Sequence, residues 1–286
     1  MKLEDIDLYD LDRWASEGFP ADQFAFLRKH DPVHWHPKEV PGGRGYWAVT
    51  KYDDICRIGK DPMTFKSGGG TNIDDWPEED MTAVRMLLIN MDPPDHLKFR
   101  GIVKRGFTPR MIKKLEGHIV EVTREIVDKV AKRGHCDFVN DIAVHLPLEI
   151  ICEQLGVPPE DRGKVIAMSN KLIGFDDPEF QNTHEDARNA AAEMVFYALQ
   201  LAEEKKKNPG DDLISILLSG EIDGRELMAQ EIGFFVLILA IAGNETTRNA
   251  TSNGMLTLMQ YPEEREKILK NMALVPSAVE EILRWA

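Results

Sequence analysis

Phe234-Phe235-Val236-Leu237-Ile238-Leu239-Ala240-Ile241-Ala242-Gly243-Asn244-Glu245-Thr246-Thr247 decides the reading of this chain. Its first half is the most apolar run in the sequence, and it passes directly into a glycine, a carboxylate and two adjacent threonines. Glycine costs about 1 kcal/mol against alanine in a helix interior, and threonine is a mediocre helix former. A charge entering a core is costly unless it is compensated. Local rules broken together at one place point to a functional site. The helical pattern begins after Asp223-Gly224 and runs to Gln260, where Tyr261-Pro262 ends it; such a helix is on the order of 50 Å long. With an apolar middle and polar ends, it belongs in the centre of a domain. Ala242, Gly243, Thr246 and Thr247 fall within one arc of ~140°, with Phe235 and Leu239 above them. Small residues and hydroxyls below an apolar wall suit a large flat ligand. The alternative is a helix bend, in which Thr246 bonds back to the carbonyl of Ala242 and Glu245 surfaces on the far side.

Outward from this helix, the chain is mostly helical from Asp92 onward. Asp92-Pro93-Pro94 reads as an N-cap with proline in the first turn, and Thr108-Pro109 repeats the device before an amphipathic helix over about 110–133. Further helical patterns cover about 142–155, 160–173, 184–207, 211–219 and 262–270. The first part is mixed. Val33-His34-Trp35-His36 and Tyr46-Trp47-Ala48-Val49-Thr50, separated by the turn cluster 41–45, predict a β-hairpin. Residues 52–60 predict a short helix. Ser67–Thr71 and Asp74–Pro77 show no period and predict a mobile loop. There is no βαβ series, G-x-G-x-x-G or P-loop, so a nucleotide fold is excluded.

The 286 residues are 43% hydrophobic, enough for a substantial core. A net charge of −14 argues against nucleic acid as the main partner. Three cysteines without a C-x-x-C pair, Cys56, Cys136 and Cys152, predict a reducing, cytoplasmic setting with no disulfide framework. The first residues resemble neither a signal peptide nor a membrane anchor, and Phe234–Ala242 is roughly half a bilayer span.

Two more constellations carry charge at helical spacing. His96 and Arg100 lie at i and i+4 on one helix face. Arg100 sits near an N-terminus, where the helix dipole disfavours a cation, so it wants an anion such as a carboxylate; a solvated polar face is the alternative. A metal site from His96 and Asp92 lacks supporting ligands. Glu281 and Arg284, at i and i+3, form by themselves an ordinary surface ion pair.

The order of these motifs matters. H-x-x-x-R at His96–Arg100, A-G-x-E-T-T at Ala242–Thr247 and E-x-x-R at Glu281–Arg284 resemble, in that sequence, the cytochrome P450 family of haem monooxygenases. The resemblance runs from about residue 5 to the last residue and includes GYWAVTKYDDI, NMDPPDHLKFR and Phe107-Thr108-Pro109-Arg110. It implies a mainly α, single-domain fold over residues 1–286 with a small N-terminal β region. It also implies haem b as cofactor, O2 as co-substrate, and insertion of one oxygen atom into a C–H bond of an apolar substrate. His96 and Arg100 are then expected to hold the haem propionates. Ala242 and Gly243 make room for dioxygen, with Thr247 beside the haem, Thr246 as hydrogen-bonding hydroxyl and Glu245 on the proton route. Glu281 and Arg284 brace the proximal core, and Phe235, Ile238 and Leu239 line the substrate pocket. With no reductase domain, electrons are expected from a ferredoxin or a flavodoxin-like donor docking near Lys98, Lys104 and Arg105. GNETTRN (Gly243–Asn249) and FTPRMIKKLE resemble the bacterial branch that oxidises steroid side chains of the cholesterol and cholestenone type. Terpene or fatty-acid hydroxylation, or a non-catalytic helical lipid-binding role, stays open.

The family's axial thiolate lies in a Phe-x-x-Gly-x-x-x-Cys-x-Gly loop downstream of E-x-x-R. None of the three cysteines fits: Cys56 is in a charged short helix, Cys152 in an apolar one, and Cys136 precedes a strand-like DFVND without the required glycines. The expectation is a chain truncated after the E-x-x-R helix, with no metal ligand of its own and inactive by itself.

Overall fold

The computed structural model describes residues 1–37, 45–73, 75–173 and 183–285. The chain folds as two compact units, Met1–Phe99 and Arg100–Ala286.

The first unit contains α1 (Leu11–Glu17), α2 (Ala21–His30), β1 (Val33–His36), β2 (Tyr46–Val49), α3 (Tyr52–Lys60), α4 (Met81–Met86) and the start of α5 (Asp95–Val103). Asp10 caps α1 by accepting the Arg13 N–H, as a short side-chain acceptor does for an orphan helix donor. The expected hairpin is present: β1 and β2 pair antiparallel from Val33↔Val49 to His36↔Tyr46. Of its expected turn, residues 41–44 lie outside the described residues. Ile6, Leu8, Leu27 and Ala48 form the core, with Phe24, Phe26 and Tyr46 packed on it. His36 locks the N-terminal segment to the hairpin. Its Nε2 accepts the Leu8 N–H at 3.1 Å, and its ring stacks on Tyr46.

The segment 67–77 is irregular as expected, but its start is fastened. The Asp92 carboxylate accepts the amides of Ser67 and Gly68 at 2.8 and 3.2 Å, and Arg85 Nε donates to the Gly68 carbonyl. Asp74, within the predicted loop, lies outside the described residues. Asp92 therefore differs from the expected side-chain cap: its carbonyl receives the His96 N–H, while its carboxylate serves this loop.

The second unit continues α5 through a 3-10 turn, Lys104–Phe107, into α6 (Pro109–Ala131). Thr108 Oγ1 accepts the Met111 N–H, with Pro109 in the first turn, as read from the sequence. A single π-turn (Val139–Ala143) follows, then α7 (His145–Leu155), α8 (Arg162–Ile173), α9 (His184–Lys207) and α10 (Leu213–Leu218). Next come the two-residue strands β3 (Glu221–Ile222) and β4 (Arg225–Glu226), and then α11 (Ala229–Gln260), α12 (Pro262–Lys270) and α13 (Val275–Trp285). The long helix is the axis of this unit. It packs against α9, α7, α8, the π-turn, α12 and α13, and buries Ile232, Phe235, Val236, Leu237 and Ala240.

Two further expectations are corrected. Asp223-Gly224 does not open α11: both residues have positive φ, 53° and 78°, and turn β3 into β4. Asp-Gly suits such a tight hairpin turn, so the helix begins at Ala229. There Glu231, almost fully buried, accepts the Met228 N–H and a bidentate pair of bonds from Arg225. The DFVND segment is not strand-like. Asp137 accepts the Asn140 N–H and side-chain amide, and those local bonds wind Val139–Ala143 into the π-turn.

Candidate functional site

The 242–247 segment is helical throughout. Thr246 Oγ1 donates to the Ala242 carbonyl at 2.9 Å, the back-bond that the bend reading anticipated. Ala242, Thr246 and Thr247 are exposed, whereas Phe235 above them is closed off inside the helix packing and Ile238 and Leu239 are half-buried. Glu245 is held by neighbours on its own helix, with Arg248 at 2.5 Å and Asn249 at 2.8 Å. Gly243 has a further reason to be glycine. A Cβ there would come within 2.8, 2.9 and 3.2 Å of three side-chain atoms of Ile151 on α7. The missing side chain lets two helices approach, and this packing role could not be read from the sequence.

Asn244 is the residue the motif reading passed over. It is fully buried, and neither its amide oxygen nor its amide nitrogen has a hydrogen-bond partner. Such a group costs about 1–3 kcal/mol of uncompensated desolvation. A polar residue between Gly243 and Glu245 in an otherwise apolar helix was the available signal.

The exposed threonines border a groove of about 390 Å³. Its floor is the α11 surface at Thr246, Thr247, Ala250 and Thr251, one wall is α13 at Val279 and Leu283, and Phe138 forms part of the remaining lining. The Thr251 hydroxyl donates to the Thr247 carbonyl at 2.7 Å, as Thr246 does to Ala242. Both hydroxyls keep lone pairs to accept a bond. A second, larger hollow of about 600 Å³ lies between the C-terminal part of α11, α12 and α13.

On α5, His96 is half-buried and Arg100 exposed, one turn apart. Neither side chain has a hydrogen-bond or ion-pair partner among the described residues. Glu281 and Arg284 are joined by two bonds of 2.7 Å, with both side chains more than 60% exposed. This pair lowers the Glu281 carboxyl below its ordinary range through the hydrogen bond from Arg284. Lys104 and Arg105 are exposed on their 3-10 turn, while Lys98 lies 3.8 Å from Asp95.

Cys152 is completely buried, and burial pushes its thiol up to about 11; it is a core residue, as expected. Cys136 is exposed and Cys56 half-buried. No cluster of three or more His, Cys, Asp or Glu able to hold a metal ion exists among the described residues. No described helix is long and apolar enough to cross a membrane.

Comparison with known proteins gives this geometry a family. The sequence model for Cytochrome P450 matches residues 156–284. A methyl-branched lipid omega-hydroxylase of Mycobacterium tuberculosis (strain ATCC 25618 / H37Rv) is 37% identical, the match covering 99% of this chain and 68% of that protein. A Mycobacterium marinum cytochrome P450, solved with pseudoionone, superposes with a TM-score of 0.90 at 33% identity, covering 99% of this chain and 71% of that one. The chain belongs to the cytochrome P450 family. A steroid C26-monooxygenase of Rhodococcus jostii (strain RHA1) is 42% identical over 99% of this P450 chain and 60% of the relative. The chain thus spans about 60–68% of the length of the curated relatives it matches. The family resemblance drawn from the three ordered motifs holds, and so does the mainly α fold with a small β region.

The residues of this P450 chain suit the family's prosthetic group, haem, at two places. Arg100 is an exposed guanidinium with no ion-pair partner among the described residues, which suits a propionate. The exposed face of Ala242, Thr246 and Thr247 on α11 combines a small side chain with hydroxyls, which suits contact with a flat macrocycle. No described cysteine is placed as the family's iron ligand: Cys152 is sealed in the core, and Cys56 and Cys136 lie outside the groove lining.

Proposed function

We propose that this chain supplies the oxygen-handling helix and the propionate residues of a haem-dependent monooxygenase acting on an apolar lipid. The substrate is either a steroid side chain or a methyl-branched acyl chain. The observation that carries this reading is the exposed Ala242–Thr246–Thr247 surface directly after the buried apolar half of α11. The relatives add to it: proteins named steroid C26-monooxygenase and methyl-branched lipid omega-hydroxylase match nearly the whole chain at 37–42% identity.

Haem, when bound, supplies the chemistry that activates O2 for insertion into a C–H bond. The chain's own residues have narrower tasks. His96 and Arg100 hold the propionates by charge-assisted bonds. Ala242 keeps the helix surface low, and Thr246 offers a hydroxyl whose proton is already committed to the Ala242 carbonyl, leaving its lone pairs to accept. Glu245 lies one residue away in a network with Arg248 and Asn249, able to pass a proton when that network opens. Ile238 and Leu239 continue the apolar surface toward the substrate, with Phe235 packed in the core behind them. Glu281 and Arg284 brace α13. Lys104 and Arg105, with Lys98, form the docking cations for an acidic ferredoxin or flavodoxin-like donor, whose approach a positive patch on an acidic protein would steer.

Product analysis on the native gene product, supplied with haem, O2 and a ferredoxin–reductase pair, tests the reading. Cholest-4-en-3-one and a methyl-branched fatty acid should each be examined for a terminal hydroxyl. Absence of any oxygenated product from both, with haem bound, would remove lipid monooxygenation.

A further inference from the structure

Glu245, the acid of the proposed proton route, has both carboxylate oxygens occupied. Arg248 Nη2 donates to Oε2 at 2.5 Å, and Asn249 Nδ2 donates to Oε1 at 2.8 Å. Both donors lie about one turn further along α11. The Thr246 hydroxyl bonds in the opposite direction, to the Ala242 carbonyl one turn back. No hydrogen bond joins the Glu245 and Thr246 side chains among the described residues. The acid and the alcohol are each engaged with their own helix and not with one another.

A glutamate and an arginine at i and i+3 are usually a solvated pair of little consequence. Burial sets this one apart. The Arg248 and Glu245 side chains are only 14% and 23% exposed. At the same spacing in this unit, Lys206–Glu203, Lys267–Glu264 and Arg284–Glu281 have both partners more than half exposed. Charges withdrawn from water attract more strongly, and removing one partner leaves the other uncompensated. The Asn249 bond is exposed while the Arg248 bond is half-buried, so Arg248 is the stronger hold on the carboxylate.

We propose that Arg248 is a latch on Glu245, a positioning residue that holds the acid off Thr246 until the pair opens. The inference rests on the oxygen-handling role proposed for Glu245 and Thr246, and adds the residue that decides when the acid is available. A carboxylate bonded through both oxygens has to free one before it takes up a proton from water. It regains its charge and its latch when that proton leaves toward Thr246. Loss of one charge-assisted bond shifts such an opening equilibrium by about tenfold.

The test has two stages, both in the native gene product. The first needs no turnover. With isotope-labelled arginine, the Arg248 resonance, assigned by its loss in Arg248→Lys, should show slow rotation of the guanidinium, and Glu245→Gln should free it. In urea, Arg248→Met should lower the midpoint, and adding Glu245→Gln should recover most of the loss. A freely rotating wild-type guanidinium, or additive effects of the two substitutions, overturns the latch whatever the enzyme does. The second stage follows O2 consumption with haem, a lipid substrate and reduced ferredoxin in excess. Arg248→Gln should raise the rate several-fold, Arg248→Lys should stay near wild type, and Glu245→Gln added to Arg248→Gln should cancel the gain. An unchanged rate in Arg248→Gln, or a gain that survives Glu245→Gln, overturns the proposal and leaves the oxygen-handling reading standing. Haem uptake without O2 consumption by the wild type, with the guanidinium still rotating slowly, removes the oxygen-handling reading and reduces the pair to a structural one.

Discussion

Thr246 Oγ1 donates its proton to the carbonyl oxygen of Ala242 at 2.9 Å, inside an uninterrupted helix. The bond a helix bend would use and the hydroxyl an oxygen site would use are therefore the same atom, so the two readings of this segment are compatible. Thr246→Ala removes the hydroxyl without removing a structural partner that anything else needs. Alanine is also the better helix former, by roughly 0.5 kcal/mol. Haem content and substrate affinity should stay, thermal stability should stay or rise slightly, and product formed per NAD(P)H should fall several-fold, with hydrogen peroxide appearing instead. Unchanged coupling would leave Thr246 with the back-bond as its only role.

Gly243→Ala separates local propensity from packing. In an ordinary helix interior the change stabilises by about 1 kcal/mol. Here the new methyl meets Ile151 within 2.8 Å, and overpacking of a filled core costs about 1–3 kcal/mol. The expected net effect is a lower midpoint in urea. Adding Ile151→Val, which trims the opposing side chain, should recover most of the loss. A stabilised single variant would show that α7 yields freely.

Asn244→Leu tests the buried amide. The substitution keeps the volume nearly constant and removes two polar atoms that have no partner. Relief of about 1–3 kcal/mol is expected, seen as a rise in the urea midpoint without change in slope. A marked fall would mean that the amide has a partner, such as an ordered water, in solution.

Much of this was legible in the sequence because it depends on local signals. The apolar run before Ala242, the Pro262 stop, the Thr108-Pro109 start and the alternation in Val33–His36 each fix an element through near neighbours, and each element appears where expected. The errors arose where one local signal had two meanings. Asp223-Gly224 precedes an apolar helix, but it also suits a tight hairpin turn, and Arg225 bonding to Glu231 favours the hairpin. Phe138-Val139 has strand-forming residues, yet the carboxylates on either side bind backbone and convert the segment to a π-turn. The contact of Gly243 with Ile151 joins residues far apart in the chain and has no local signature. The three family motifs could be recognised in order, but the hydrogen bonds of Glu245 and the orphaned amide of Asn244 required coordinates.

The start of α11 should respond to acid. Glu231 is held below the ordinary carboxylate range, first by the Arg225 hydrogen bonds and also by the Met228 amide, against the opposing effect of burial. A carboxyl with a depressed folded-state pKa contributes stability that is complete above the unfolded value. That stability is lost as pH falls through the ordinary carboxylate range toward the folded value. Amide exchange in the first turn of α11 should therefore accelerate, relative to the helix centre, as pH drops below about 4 once intrinsic exchange rates are divided out. Glu231→Gln should show the faster exchange already at neutral pH and lose the pH dependence. Equal protection in both proteins at pH 7 would mean that the Arg225–Glu231 clamp contributes little in solution.

The three cysteines make a spectroscopic prediction for residues 1–286 expressed as such. Iron ligation of the thiolate type needs a sulfur that is ionised and can reach the metal. Cys152 fails on both counts, being fully buried with its thiol pushed up to about 11, so at neutral pH it carries essentially no thiolate. Cys56 sits on α3 in the N-terminal unit. Cys136 is exposed and lies outside the lining of the α11 groove. Arg100 and His96 can still attract propionates, but two such contacts contribute only a few kcal/mol. Added haem should therefore bind weakly, and reduction under carbon monoxide should give no red-shifted thiolate-type Soret band. Replacing all three cysteines by serine should leave the spectrum unchanged. A thiolate-type band that disappears with Cys136→Ser would identify that sulfur as the ligand.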